Sequence, residues 1–203
     1  MKTSKYGIYM IIPLLLINYH LRAQSIGLYT IGNDYTITIK GSSNLHDWSE
    51  TIENTNGKSI ITQNKNGSIN LDSLTISMDV RSINSSEGKI MINKTLNALK
   101  AEQYPFITFS LGLPLKMIPS NASGTIINTT GRLTIAGVTR QIRISGKIYR
   151  YSSNKFIFEG SQPVQMSDYN ITPPTAMLGL LKVRNQITVQ YRTSFEIRNP
   201  SKT

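Results

Sequence analysis

Along most of the chain apolar and polar residues alternate one for one. Tyr35, Ile37 and Ile39 stand between Thr36, Thr38 and Lys40, and Leu74, Ile76, Met78 and Val80 between Thr75, Ser77 and Asp79. A period of two sends alternate side chains to opposite faces, so each run predicts a strand with one buried face. The pattern recurs at Ile107, Phe109 and Leu111, at Leu133 and Ile135, at Ile142 and Ile144, and at Phe156 and Phe158. It closes with Ile187, Val189, Tyr191, Phe195 and Ile197. Turn chemistry separates the runs, at Asn56-Gly57, Asn66-Gly67, Asn121 to Gly124, Ala136-Gly137 and Ser152 to Asn154. Separators this short join neighbouring strands as hairpins, so the pairing is antiparallel. The prediction is an all-β chain, and a sandwich and a closed barrel both satisfy it.

Two segments leave this period. After Ser85-Ser86-Glu87 the residues Ile90, Leu96 and Leu99 fit a helix of period 3.6, which Tyr104-Pro105 ends. From Ser167 to Arg184 the pair Pro173-Pro174 excludes a central strand, and Ala176, Met177, Leu178, Leu180 and Leu181 give the resulting loop an apolar load. No internal repeat or linker divides the chain, so residues 24–203 read as one domain.

The first residues follow a different rule. Lys2 and Lys5 precede the apolar stretch Ile8 to Ile17, and Leu21-Arg22-Ala23-Gln24 supplies a small-residue cleavage pattern. The stretch is shorter than the roughly 20 residues of a spanning helix. Residues 1–23 are therefore expected to be a signal peptide cut near Ala23, with the rest exported to the periplasm or beyond.

Charge and cysteine usage narrow the function classes. The formal charge of +11 becomes +8 once Lys2, Lys5 and Arg22 leave with the leader. Lys and Arg never occur three in a row, which suits a solvated basic surface rather than a nucleic-acid patch. There is no cysteine, which excludes disulfides, thiolate metal sites and cysteine nucleophiles.

The stretch GSSNLHDW, Gly41 to Trp48, holds the only Trp and, past residue 20, the only His. Zinc needs three or four ligands, and no spacing joins His46 and Asp47 to remote acids such as Glu50 or Asp72. The chain has no G-x-S-x-G elbow, phosphate-binding loop or dinucleotide fingerprint. What remains for catalysis is His46, Asp47 and Asp168 acting as acid and base on a bound hydrophobic molecule. The competing reading places His46 at a strand bend, bonded to backbone or to Asp47.

Four segments in order, GSSNLHDW (41–48), INKTLNALKAEQYPFITF (92–109), GRLTIAGVTRQI (131–142) and MSDYNITPPTAMLGLLKVRNQITVQ (166–190), resemble the YceI-like family of periplasmic lipid-binding proteins. The resemblance implies an extended antiparallel barrel of about eight strands, lipocalin-like in shape, with one helix packed beside it. It further implies a non-enzymatic binding protein, with no catalytic residue, metal or resident cofactor, whose interior holds a long amphiphilic lipid such as an isoprenoid or a quinone. Transient membrane contact and a homodimer are expectations of the same reading; nucleic acid is not.

Within that frame Gly41 is expected to permit a bend at a barrel corner, Leu45 to return to the inward phase, and Trp48 to follow a second irregularity or sit at the rim with its N–H bonded. Leu45, Phe109, Leu133, Met177, Leu178 and Leu181 are expected to line the ligand, with Ile76, Met78 and Ile144 added on periodicity. His46, with Asp47, is placed at a corner or mouth where it touches the headgroup, and Asp168 is counted among the ligand-binding residues. Arg140, Lys182 and Arg184 are candidates for an anionic headgroup.

Overall fold

The computed structural model describes residues 24–176 and 180–197. The expected leader, and Met177 and Leu178 of the expected lining, lie outside the described residues. Twelve strands run in chain order as β1 (Ser25–Ser43), β2 (Asp47–Ile52), β3 (Thr55–Gln63), β4 (Ile69–Asp79), β5 (Ile83–Ser85), β6 (Phe106–Leu111), β7 (Leu115–Ile118), β8 (Thr125–Ile135), β9 (Val138–Ser152), β10 (Lys155–Gln165), β11 (Thr175–Ala176) and β12 (Leu181–Glu196). One helix, α1 (Lys89–Ala98), separates β5 from β6.

Eight strands close on themselves in the order β1-β3-β4-β6-β8-β9-β10-β12, with β12 returning to β1, all antiparallel. Closure decides between the two architectures that alternation allowed, because it removes the open edges that a sandwich would keep. Every run read from the sequence lies in a barrel strand except Val80, which begins a 3₁₀ turn, and Ile197, which follows β12. At Ala136 and Gly137, with φ of 47° and 78°, two residues reverse the chain between β8 and β9. Positive φ at both central positions is what a tight hairpin of matching twist requires.

Asn56-Gly57 is not a turn. It lies inside β3, paired with Ser77 and Ile76 of β4. A Cβ on Gly57 would meet the Phe195 ring at 3.1 Å, so the glycine makes room for a ring rather than a reversal.

The two ends of the barrel differ. At one, Tyr29, Ile61, Phe156 and Phe195 are fully buried, and Tyr29 meets Phe156 edge-on at 5.4 Å between ring centroids. The Tyr29 hydroxyl accepts from Gln63 Nε2 at 2.9 Å, so this aromatic plug carries no orphaned polar group at Tyr29. At the other end lie β2 and β5, α1, a 3₁₀ turn at Met166–Tyr169, and β11. Strand β1 changes partner between the ends, pairing β3 through Ser25–Thr30 and β2 through Thr38–Ser42.

One seam in the wall is incomplete. β9 and β10 pair only from Ser152↔Lys155 to Gly146↔Gly160. Beyond those glycines β9 continues on β8 and β10 on β12, with no ladder between them. Pro163, which lacks an N–H, lies in that stretch of β10, where an edge tolerates it. A hydrogen bond from Arg140 Nε to the Asp168 carbonyl, 2.8 Å, ties β9 to the 3₁₀ turn at the foot of the seam.

Candidate functional site: an apolar cavity beneath the helix

The strands do not fill the barrel with their own side chains. Between α1 and the aromatic plug lies a cavity of about 190 Å³, counted as room for the centres of water molecules. A single water needs roughly 10–15 Å³ on that measure, so the space is an order of magnitude beyond an ordinary packing void.

Its wall follows from the strand period. Ile37 and Ile39 of β1, Leu74, Ile76 and Met78 of β4, Ile107 and Phe109 of β6, Leu133 and Ile135 of β8, Ile142 and Ile144 of β9, and Val183, Ile187 and Val189 of β12 all present their inward set. The helix supplies the cover through Met91, Thr95, Ala98 and Leu99, spaced to share one helical face. Of the three residues the sequence put on the packed face, Leu99 lines the cavity and Leu96 packs against the core, while Ile90 points away and is 76% exposed. A Lys94 Nζ bond to the Thr175 carbonyl, 2.7 Å, straps the helix to the segment before β12.

The expected lining residues separate into three groups. Ile76, Met78, Phe109, Leu133 and Ile144 line the cavity. Leu181 is half-buried in β12 against the core, without reaching the cavity lining. Leu45 is a correction. The chain does not turn a corner at Gly41 and resume its phase; it reverses through Ser43 to His46, held by Ser43 N–H to His46 O at 2.9 Å, and Leu45 protrudes from that turn, 59% exposed.

His46 and Asp168 are also off the cavity. His46 Nδ1 bonds the Asp47 carbonyl at 2.9 Å, and its Nε2 lies 4.0 Å from Glu87. Asp168 is exposed and offers only its carbonyl, to Arg140. The arrangement that acid–base chemistry would require, His46 facing the bound molecule, is not built. Among the described residues no three His, Asp or Glu side chains are grouped as metal ligands. Arg140, Lys182 and Arg184 are exposed and outside the cavity lining.

The reversal explains Trp48. It belongs to a new strand, β2, rather than extending the phase of β1, and stands opposite Gly41. A Cβ on Gly41 would fall 2.2 Å from Trp48 Cζ2, so the indole lies across the bare glycine. The register of β1 against β12 shifts between Gly41 and Ser43, the irregularity expected there. Trp48 is buried, 8% exposed, and lines the cavity with its Nε1–H unpartnered.

Two residues further, on the same face of β2, stands Glu50, which sequence reasoning considers only as a remote metal ligand. It is 1% exposed and lines the cavity. Its Oε1 accepts from Thr95 Oγ1 of α1 at 2.8 Å, while Oε2 has no partner. Burial disfavours the charged carboxylate and raises its pKa from 4.5 to about 7, against a smaller lowering by the Thr95 bond. The signal for this residue is the alternation Trp48, Glu50, Ile52, an acid placed on an apolar phase. Lys147 and Glu159 also border the cavity, but their charged ends engage Tyr149 and Arg192.

Tyr191 is a further polar residue near the seam. Its hydroxyl sits where Cβ atoms on Gly160 or Gly146 would come within 2.4 or 2.9 Å. Desolvation raises its pKa. An outer groove lined by Thr36, Ser145, Gly160 and Gln190 meets the cavity wall at Gly146, Lys147, Glu159 and Tyr191.

Comparison with known proteins agrees with this geometry. The family described as a YceI-like domain matches residues 29–195. No curated protein matches the chain. Among solved structures, a polyisoprenoid-binding domain from Saccharophagus degradans, implicated in plant cell wall breakdown, superposes with a TM-score of 0.68 at 12% identity, over 85% of this chain and 99% of that one. BcnA of Burkholderia cenocepacia gives 0.60 at 16%, over 79% and 95%. The YceI protein of Campylobacter jejuni gives 0.57 at 20%, over 74% and 85%. At these identities the likeness is one of fold.

Proposed function

The chain belongs to the YceI-like family, and from that premise and its cavity we propose that it binds a long isoprenoid-type lipid inside the barrel without transforming it, in the cell envelope after removal of residues 1–23. The observation that carries the reading is the apolar cavity itself. A barrel serving only as an interaction module would be packed to the density of other protein interiors. This one keeps a space floored by an aromatic plug and roofed by a helix.

The energetics favour a flexible apolar chain. Each CH₂ removed from water contributes roughly 0.8 kcal/mol, so a five-carbon isoprene unit gains about 4 kcal/mol before the ordering of its bonds is subtracted. Met78 and Met91 suit such a guest because their unbranched thioethers adapt to irregular shapes. The polyisoprenoid-binding character of the Saccharophagus degradans domain, which shares the fold, supports the same class of guest here.

Trp48 is the only tryptophan and lines the cavity, which makes intrinsic fluorescence a direct reporter. Delipidated protein titrated with an isoprenoid quinone should show saturable quenching, and a polyprenol should compete it away. Quenching no greater than that of free tryptophan amide at the same quinone concentration would overturn the proposal.

A further inference from the structure

Two residues that line the cavity each carry a buried polar atom with nothing to bond. We propose that Trp48 Nε1–H and Glu50 Oε2 form a polar subsite that takes the hydroxyl of an isoprenoid alcohol or phenol, and so selects an uncharged head over a phosphorylated one. The proposal rests on the lipid-binding reading and adds the head chemistry and its orientation.

Both side chains stand on one face of β2, two residues apart, a spacing of about 7 Å along a strand. The indole N–H can only donate. Glu50 is half anchored: Thr95 holds Oε1 from the helix, which fixes the carboxyl and leaves Oε2 without a partner. Leaving a buried donor and a buried carboxyl oxygen unsatisfied is costly, and the cost is recovered by any guest that supplies the missing partners. A hydroxyl is suited to both, since it accepts from the indole and donates to the carboxylate. A hydrocarbon end supplies neither bond. A phosphate would bring about −1.5 to −2 charge against a carboxyl in a water-poor space, where like charges repel more strongly than in solvent.

The position of the basic residues points the same way. Arg140, Lys182 and Arg184, the candidates for an anionic head, are all on the outside. The subsite lies under α1, so the head is held at the helix end and the tail extends towards Ile127 and Tyr191 in the middle of the barrel.

The test offers delipidated protein an equimolar mixture of a twenty-carbon isoprenoid alcohol, its monophosphate and the hydrocarbon of equal length, and quantifies what is retained by extraction and mass spectrometry. Wild-type protein should retain the alcohol over each of the others by roughly tenfold. Trp48→Phe and Glu50→Leu should each reduce the alcohol-to-hydrocarbon ratio by about fivefold. Because a variant can fail to fold, the wild-type ¹⁵N spectrum gives a second reading: the single indole N–H peak should move downfield with the alcohol and not with the hydrocarbon. Equal retention of the three, preference for the phosphate, or an unchanged ratio in folded variants would overturn the subsite while leaving lipid binding intact. Retention of none of the three would overturn the lipid-binding reading, and the subsite with it.

Discussion

Replacing Glu50 by Gln should remove a pH dependence that is built into the cavity wall. Glu50 is 1% exposed, forms no ion pair among the described residues, and is partnered on one oxygen only, so burial raises its pKa from 4.5 to about 7. The folded chain therefore holds this proton more tightly than the unfolded chain. Between pH 4.5 and 7 the native state binds more protons at this site, and stability falls as pH rises through that window. The favourable contribution is complete below 4.5 and lost above about 7. At 1.36 kcal/mol per pH unit the whole effect is about 3 kcal/mol, of which most is realised between pH 5 and 8. Glutamine keeps the shape and the acceptor for Thr95 but cannot ionise. Urea denaturation of both proteins at pH 5 and pH 8, followed by Trp48 emission, separates the site from the rest, because groups common to both proteins cancel in the difference. Asp72, whose carboxyl Lys116 holds below its ordinary value, is one such group. The stability difference in favour of Glu50→Gln should grow by about 2–3 kcal/mol from pH 5 to pH 8. A difference that is the same at both pH values would refute the argument that burial governs this carboxyl.

Three further outcomes follow from the packing. Gly41→Ala should cost about 1–3 kcal/mol in urea unfolding and shift Trp48 emission to the red, since the new Cβ would displace the indole; an unshifted spectrum at full stability would contradict the stacking. Phe156→Ala, which empties the centre of the aromatic plug, should cost about 3–5 kcal/mol by the same assay, and a loss under 1 kcal/mol would mean the plug is not packed as described. Because β9 and β10 part beyond Gly146 and Gly160, hydrogen exchange should be faster on the average over residues 139–145 and 161–165 than over 146–152 and 155–160, and equal protection would mean that the seam is closed in solution.

What the sequence discloses, and what it withholds, has a physical pattern. Inward positions such as Phe109, Leu133 and Ile144 are legible because a large apolar residue at every second place is the direct imprint of a strand with one buried face. Alternation does not tell a barrel from a sandwich, since closure depends on β12 returning to β1 across nearly the whole chain. Leu45 is misplaced by its sequence because Gly41 and the serines after it suggest a bulge, while the chain makes a full reversal stabilised by backbone and hydroxyl bonds at Ser43. Once the reversal is allowed, Trp48, Glu50 and Ile52 form their own alternating strand, and Glu50 is seen as an acid on the apolar phase. The helix is legible, and Leu96 and Leu99 mark its packed side, but counting only large aliphatic residues adds the exposed Ile90 and passes over Thr95 and Ala98. His46 draws attention by its rarity, and rarity carries no geometry: it is bonded to its neighbour's carbonyl on the surface.

Whether the cavity holds a lipid in the cell is decided by native mass spectrometry of the protein purified gently from a bacterial envelope, followed by organic extraction and identification of what is released. A discrete mass increment in near-stoichiometric amount is expected, with recovery of an isoprenoid-type molecule that carries an uncharged head. A bare protein mass that stays bare after incubation with polyprenol and quinone would contradict lipid binding.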